Sequence, residues 1–236
     1  MYHLTMRFAT LVLGLLLSCA PVLAQPFAYI SNAGANTLSI INTATNTVVD
    51  TVVVGTGPFG VAVHPDGHTA YTANLYDNSV SVIDTASNTL VSTVPVGNWP
   101  FGLDLLPDGS ALYVTNYLDS TLSVIDTSTN TVVDTIATGT NSRAVSMLPD
   151  GSRVYVVNNN ADNVSVVDTV SALIVATVPV GSKPRGIAMS PDGSTAYVAN
   201  TSGNTLSVID TASNTVAATI AVGTAPIGVS VHPDSS

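Results

Sequence analysis

Glutamate is missing from all 236 residues, lysine occurs once, cysteine occurs once, and charged residues make up only 8% of the chain. Each shortage removes a class of protein. Without Glu and with almost no Lys, the strongest polar helix formers are gone, and Val, Thr, Asn and Ile, which favour strands and turns, take their place. A lone cysteine, Cys19, supplies no disulfide framework and no thiolate metal site. Sparse charge beside 46% hydrophobic residues excludes an intrinsically disordered chain. All fifteen acids are Asp, opposed by five Lys or Arg, and the net charge of −10 excludes a basic nucleic-acid module. No G-x-S-x-G elbow, P-loop, H-E-x-x-H or C-x-x-C-H motif occurs.

What is present begins with an address. Arg7 closes a short, weakly basic start, Phe8 to Leu17 is apolar, and small residues follow up to Val22-Leu23-Ala24. This predicts a signal peptide over 1–24 and an exported protein, periplasmic or at the cell surface. Leu16-Leu17-Ser18-Cys19 also fits a lipoprotein box, with Cys19 as an alternative lipid anchor. Beyond residue 24 every apolar stretch is broken by Gly, Asn or Asp, so no transmembrane helix is expected.

Residues 25–236 read as one domain built from one unit. Tyr29, Tyr71, Tyr113, Tyr155 and Tyr197 are spaced 42 apart, each followed three residues later by Asn. The same spacing holds for Gly55, Gly97, Gly139, Gly181 and Gly223, and for the Pro-Asp pairs from Pro65 to Pro233. In one unit, Pro100–Pro107, Ala111–Asn116, Leu122–Asp126 and Thr131–Ala137 read as four strands joined by short turns, among them Asp108-Gly109-Ser110. A four-stranded antiparallel unit repeated every 42 residues predicts an all-β, blade-by-blade β-propeller. The chain opens on a second strand and closes on a first strand, Ile227 to Pro233. That phase predicts five blades with 3+1 strand closure; the alternative is an open arc or a fragment of a larger propeller.

Tyr113-Val114-Thr115-Asn116, with Ser123-Val124-Ile125-Asp126 and the recurrent Pro-Asp-Gly, resembles the YVTN family of β-propeller repeats over residues 25–236. The resemblance implies an exported, periplasmic or surface-layer protein. It also implies seven blades more often than the five that this chain supplies.

The topology sorts side chains onto two faces. One carries nine of the fifteen acids, among them Asp66, Asp108, Asp84 and Asp126, at the same turn positions in every repeat, which reads as turn capping rather than a cation surface. The other face is where repeats differ. It gathers Phe59, Tyr76, Trp99, Phe101 and Tyr117 with Arg143, Lys183 and Arg185, and these eight form the candidate ligand site. No catalytic residue, metal or cofactor is assigned, since one Trp and no cysteine after Cys19 leave neither a crosslinked quinone nor a covalent haem. The expected function is therefore a non-catalytic binding or scaffold module for a glycan, an envelope polymer or a protein, with nucleic acid opposed by the charge. The alternative is a periplasmic enzyme or enzyme-associated subunit. That would be a lactonase-like hydrolase using the loop acids Asp77, Asp119 or Asp162, or a dehydrogenase-associated propeller.

Overall fold

The computed structural model describes residues 27–233; the expected signal peptide and Cys19 lie outside the described residues. Nineteen strands form five antiparallel sheets in a propeller-like arrangement. The first sheet holds β1 (Phe27–Asn32), β2 (Thr37–Asn42) and β3 (Thr47–Val53). The second holds β4 (Pro58–Val63), β5 (Thr69–Asn74), β6 (Ser79–Asp84) and β7 (Thr89–Pro95). The third holds β8 (Pro100–Leu105), β9 (Ala111–Asn116), β10 (Thr121–Asp126) and β11 (Thr131–Ala137). The fourth holds β12 (Ser142–Met147), β13 (Arg153–Asn158), β14 (Asn163–Asp168) and β15 (Ile174–Pro179). The fifth holds β16 (Pro184–Met189), β17 (Thr195–Asn200), β18 (Thr205–Asp210) and β19 (Thr215–Ala221).

Turn chemistry makes each sheet a meander. The tight turns between second and third strands, and between third and fourth, pass through the left-handed region at Asn36, Asn78, Asn204, Asn46, Asn88, Asn130 and Asn214. Asn tolerates that region better than most residues because its short amide can bond locally. The Pro-Asp-Gly turns place Gly67, Gly109, Gly151 and Gly193 there instead. The repeated Asp residues cap their own turns: Asp108 Oδ1 accepts the Ser110 N–H (2.9 Å), and Asp126 Oδ1 accepts those of Ser128 (2.8 Å) and Thr129 (3.0 Å).

The core lies between sheets rather than within one. Tyr71, Val80 and Val82 of the second sheet pack on Leu103, Leu112 and Ile125 of the third. Tyr113, Leu122 and Val124 pack on Met147, Val154 and Val167, and Tyr155, Val164 and Val166 pack on Val198 and Ile209. Second and third strands are thus buried on both faces, which is why they read as near-continuous apolar runs. Each fully buried Val, Leu or Ile contributes roughly 1.5–3 kcal/mol.

The expected 3+1 closure is not formed among the described residues: the first sheet has three strands, and β1 pairs only with β2. Residues 227–233 carry no strand pairing, and the segment lies beside β16, where Gly186 gives room to the Ile227 carbonyl. Matching strand phase does not by itself close a ring.

Candidate active site

The innermost strands, β4, β8, β12 and β16, stand side by side, and β4 meets β8, and β8 meets β12, too closely for a side chain at one level. A Cβ on Gly102 would lie 2.8 Å from the Arg143 carbonyl oxygen, and one on Gly60 would run into the Phe101 carbonyl. This backbone packing draws the preceding residue of each strand into one ring: Phe59, Phe101, Arg143 and Arg185, with Ile227 next in line. Together with the glycines and Ala144 they line an open cavity of about 210 Å³.

Two arginines share that cavity. The Arg143 guanidinium lies 4.5 Å over the Phe101 ring, an arrangement that leaves it partly desolvated. Desolvation, and then the like charge of Arg185, hold its pKa below the ordinary arginine value. Arg185 Nε is buried without a hydrogen-bond partner. Among the described residues the one ion pair joins His64 and Asp66, far along the chain from both. A chain with fifteen Asp and five basic residues has thus set two guanidiniums next to each other and beside no carboxylate.

Aromatic rings continue outward from the arginines. Phe59 meets Phe101 edge-on at 4.7 Å, Phe101 meets Tyr117 at 5.4 Å, Tyr117 stacks on Trp99 at 6.4 Å, and Trp99 meets Tyr76 at 6.2 Å. Trp99 holds φ at 56°, at a loop position taken elsewhere by Gly57, Asn141, Lys183 and Ala225. The left-handed region costs a bulky residue roughly 1–2 kcal/mol. The Trp99 N–H donates to Asn78 Oδ1 (3.1 Å), which holds the turn.

Seven of the eight expected ligand residues therefore meet. Lys183 does not line the cavity; its Nζ donates to Asn160 Oδ1 (2.7 Å) in the neighbouring loop. The loop acids are also elsewhere. Asp77 Oδ2 accepts the Thr56 N–H (2.5 Å), Asp119 Oδ2 that of Asn98 (2.7 Å), and Asp162 Oδ1 that of Lys183 (2.7 Å). They tie loops together and touch no part of the cavity. His64 contacts Gly109 O and Asp66, and no three His, Cys, Asp or Glu converge among the described residues.

Sequence reading overlooked Asp104. Its column reads Ala62, Asp104, Ser146, Ala188 and Ser230, so it is the one acid in the innermost strands. Its oxygens accept the N–H groups of Met147 (2.8 Å) and Leu105 (2.9 Å), stitching β8 to β12. Burial raises its pKa, against the lowering effect of those two bonds. Comparing the repeats column by column would have found it. It stands three residues from Phe101, roughly 10 Å along the strand, and supports the wall rather than the cavity floor.

The fold defines a β-propeller, with a cavity where these variable residues meet at the loop ends of its innermost strands. The family model described as "Lactonase, 7-bladed beta-propeller" matches residues 27–173, more than half of the chain, and the chain belongs to that family. A second, "YNCE-like beta-propeller", matches residues 131–235. None of the curated proteins matches the chain. Among solved structures, a functionally unknown protein from Desulfotomaculum acetoxidans DSM 771 is similar at 18% identity and a TM-score of 0.80, over 88% of this chain and 70% of that one. Kuenenia stuttgartiensis hydrazine synthase is similar at 20% identity and a TM-score of 0.67, over 88% and 87%. At those identities the likeness is one of fold.

The lactonase match overturns the expectation of a non-catalytic binding or scaffold module and supports the hydrolase alternative. The error has a physical source. The sequence reading looked for paired carboxylates or a nucleophile, and treated arginines as ligand contacts only. Guanidiniums are also donors for an oxyanion.

Proposed function

We propose that the chain hydrolyses a lactone in the central cavity, with Arg143 and Arg185 as the electrophilic pair. The observation that carries this reading is the two adjacent guanidiniums without a counter-ion, one with a buried free Nε–H. In lactone hydrolysis, water oxygen adds to the carbonyl carbon and negative charge gathers on the carbonyl oxygen. The ring C–O bond then breaks, the leaving oxygen gains a proton, and one proton is released to solvent as the hydroxy acid ionises. The arginine N–H groups face that developing charge in a cavity lined by Phe59, Phe101 and Ile227, and the low-dielectric rings beside Arg143 strengthen the attraction. Because the donors are fixed by β12 and β16, little reorganisation is needed as the charge forms. The leader at 1–24 supports action after export, in the envelope or outside the cell.

Proton release from a panel of aliphatic γ- and δ-lactones tests the reading. Arg143→Ala and Arg185→Ala are each expected to lower kcat/KM about 100-fold. Asp134→Asn, on an outer strand, is expected to leave it unchanged. Absence of turnover, or turnover indifferent to both arginine variants, overturns the assignment.

A further inference from the structure

We propose that the rings running outward from the arginine pair are a stacking platform for an aryl group, so that the preferred substrate is a lactone carrying a flexible aryl arm. The inference rests on the hydrolase reading for the position of the carbonyl, and on separate observations for the arm. Phe101, Tyr117, Trp99 and Tyr76 follow one another at ring spacings of 5.4, 6.4 and 6.2 Å. Phe101 is buried beneath Arg143, whereas Trp99 is 38% and Tyr76 62% exposed. The run therefore starts in the cavity and ends in solvent. The outer rings are not recruited into any core cluster, and Trp99 is held outward by an αL turn.

Polar groups around the platform decide which flat ligand it suits. The Asp119 carboxylate is taken by the backbone and side-chain N–H groups of Asn98 (2.7 and 2.8 Å). Asn78 Oδ1 is taken by Trp99, Asn141 Nδ2 donates to the Tyr117 carbonyl (3.0 Å), and Asn160 bonds both Asn141 and Lys183. These amides and the carboxylate are committed to one another. What the run offers is a mixture of ring faces and edges, edge-on at Phe101–Tyr117 and Trp99–Tyr76 and stacked at Trp99–Tyr117, and these reward a π-faced partner that can join the same edge-on and stacked pattern. Ring faces several ångströms beyond the guanidiniums call for a linker of a few bonds between carbonyl and aryl group.

Trp99 is the chain's one tryptophan, so its emission reports on the platform directly. The exported chain is titrated with 5-phenylvalerate, whose carboxylate stands in for the product acid, and with valerate. In parallel, kcat/KM is measured for γ-butyrolactone bearing a phenylethyl arm at the γ carbon and for γ-valerolactone. Saturable change of Trp99 emission with 5-phenylvalerate alone is expected, as is preference for the aryl lactone. Tyr117→Leu should weaken 5-phenylvalerate by about 3- to 10-fold and erase most of the preference, while Tyr117→Phe retains both. No saturable emission change, or one that survives Tyr117→Leu and Tyr76→Leu, overturns the platform. Emission needs no turnover. Saturable aryl binding without hydrolysis of any lactone therefore rejects the hydrolase reading while upholding the platform. Equal hydrolysis of both lactones with silent Trp99 does the reverse.

Discussion

Gly97 shows how tightly single residues are specified. A Cβ there would lie 2.6 Å from Asn116 Cγ and 2.7 Å from Asp119 Oδ2. Asn116 is fixed in turn, because its Nδ2 donates to Thr121 Oγ1 (3.0 Å) and Ser123 Oγ (2.8 Å) on the facing strand. The same triangle recurs at Gly55 with Asn74 and at Gly181 with Asn200. The Tyr-x-x-Asn column and the glycine column are therefore one device: an amide that locks two strands and needs an empty space beside it. Gly97→Ala should destabilise the fold by about 1–3 kcal/mol through overpacking, measured by denaturant unfolding. Gly34→Ala, with nothing within 4 Å of the added carbon, should cost far less. Equal costs would mean that the pocket beside Asn116 relaxes freely.

At the scale of elements, the turns carry a pH signature. The Ser110 backbone N–H and hydroxyl hold the Asp108 pKa below the usual carboxylate range. The Ser128 hydroxyl and Thr129 N–H do so for Asp126, and Ser171 does the same for Asp168. A carboxyl with a lowered folded pKa binds its proton more tightly when unfolded. Its stabilisation is thus complete above the unfolded value, about 3.9, and is lost as pH falls below it through the folded value. Repetition of these caps around the molecule should make Tm decline below about pH 4 while changing less from pH 5 to 7. Asp104 acts in the opposite sense, since its raised pKa favours the folded state as it protonates. One such group does not offset the repeated caps. Replacing Asp108 and Asp126 by Asn should flatten the acid limb of a Tm-against-pH curve; an unaltered limb would show that the turns do not control acid stability.

For the whole molecule, burial is graded along the chain. In β13 and β14, Val154, Tyr155, Val156, Val157, Val164, Val166 and Val167 are all fully buried between neighbouring sheets. In the first sheet Phe27 and Ile30 are 40% and 48% exposed, and β19 has no buried residue. Arrays in which each unit packs only on its neighbours open from their least supported units. Amide hydrogen exchange should therefore be slowest in β13 and β14 and faster by orders of magnitude in β1 and β19. Uniform protection across all five sheets would indicate one cooperative unit, with contacts joining the first sheet to the last.

Strand content, sheet connectivity and turn types were legible from 42-residue periodicity alone, because they depend on near neighbours. Alternating turn residues and apolar runs dictate a meander whatever surrounds it, and Asp108-Gly109-Ser110 turns the chain by its own hydrogen bonds. The loop face could be read as well, since a repeat makes departures such as Trp99 and Arg143 visible. Three things were decided by tertiary structure. The pairing of 227–233 with β1, which the strand phase allows, is not formed among the described residues. The separation of Lys183 from the two arginines goes with its hydrogen bond to Asn160 in the preceding repeat. The adjacency of Arg143 and Arg185, 42 residues apart, arises because β12 and β16 lie side by side and bring the same repeat position of each to one cavity. Local sequence determines which residues are rare; only the packing of one sheet on the next determines which rare residues share a cavity.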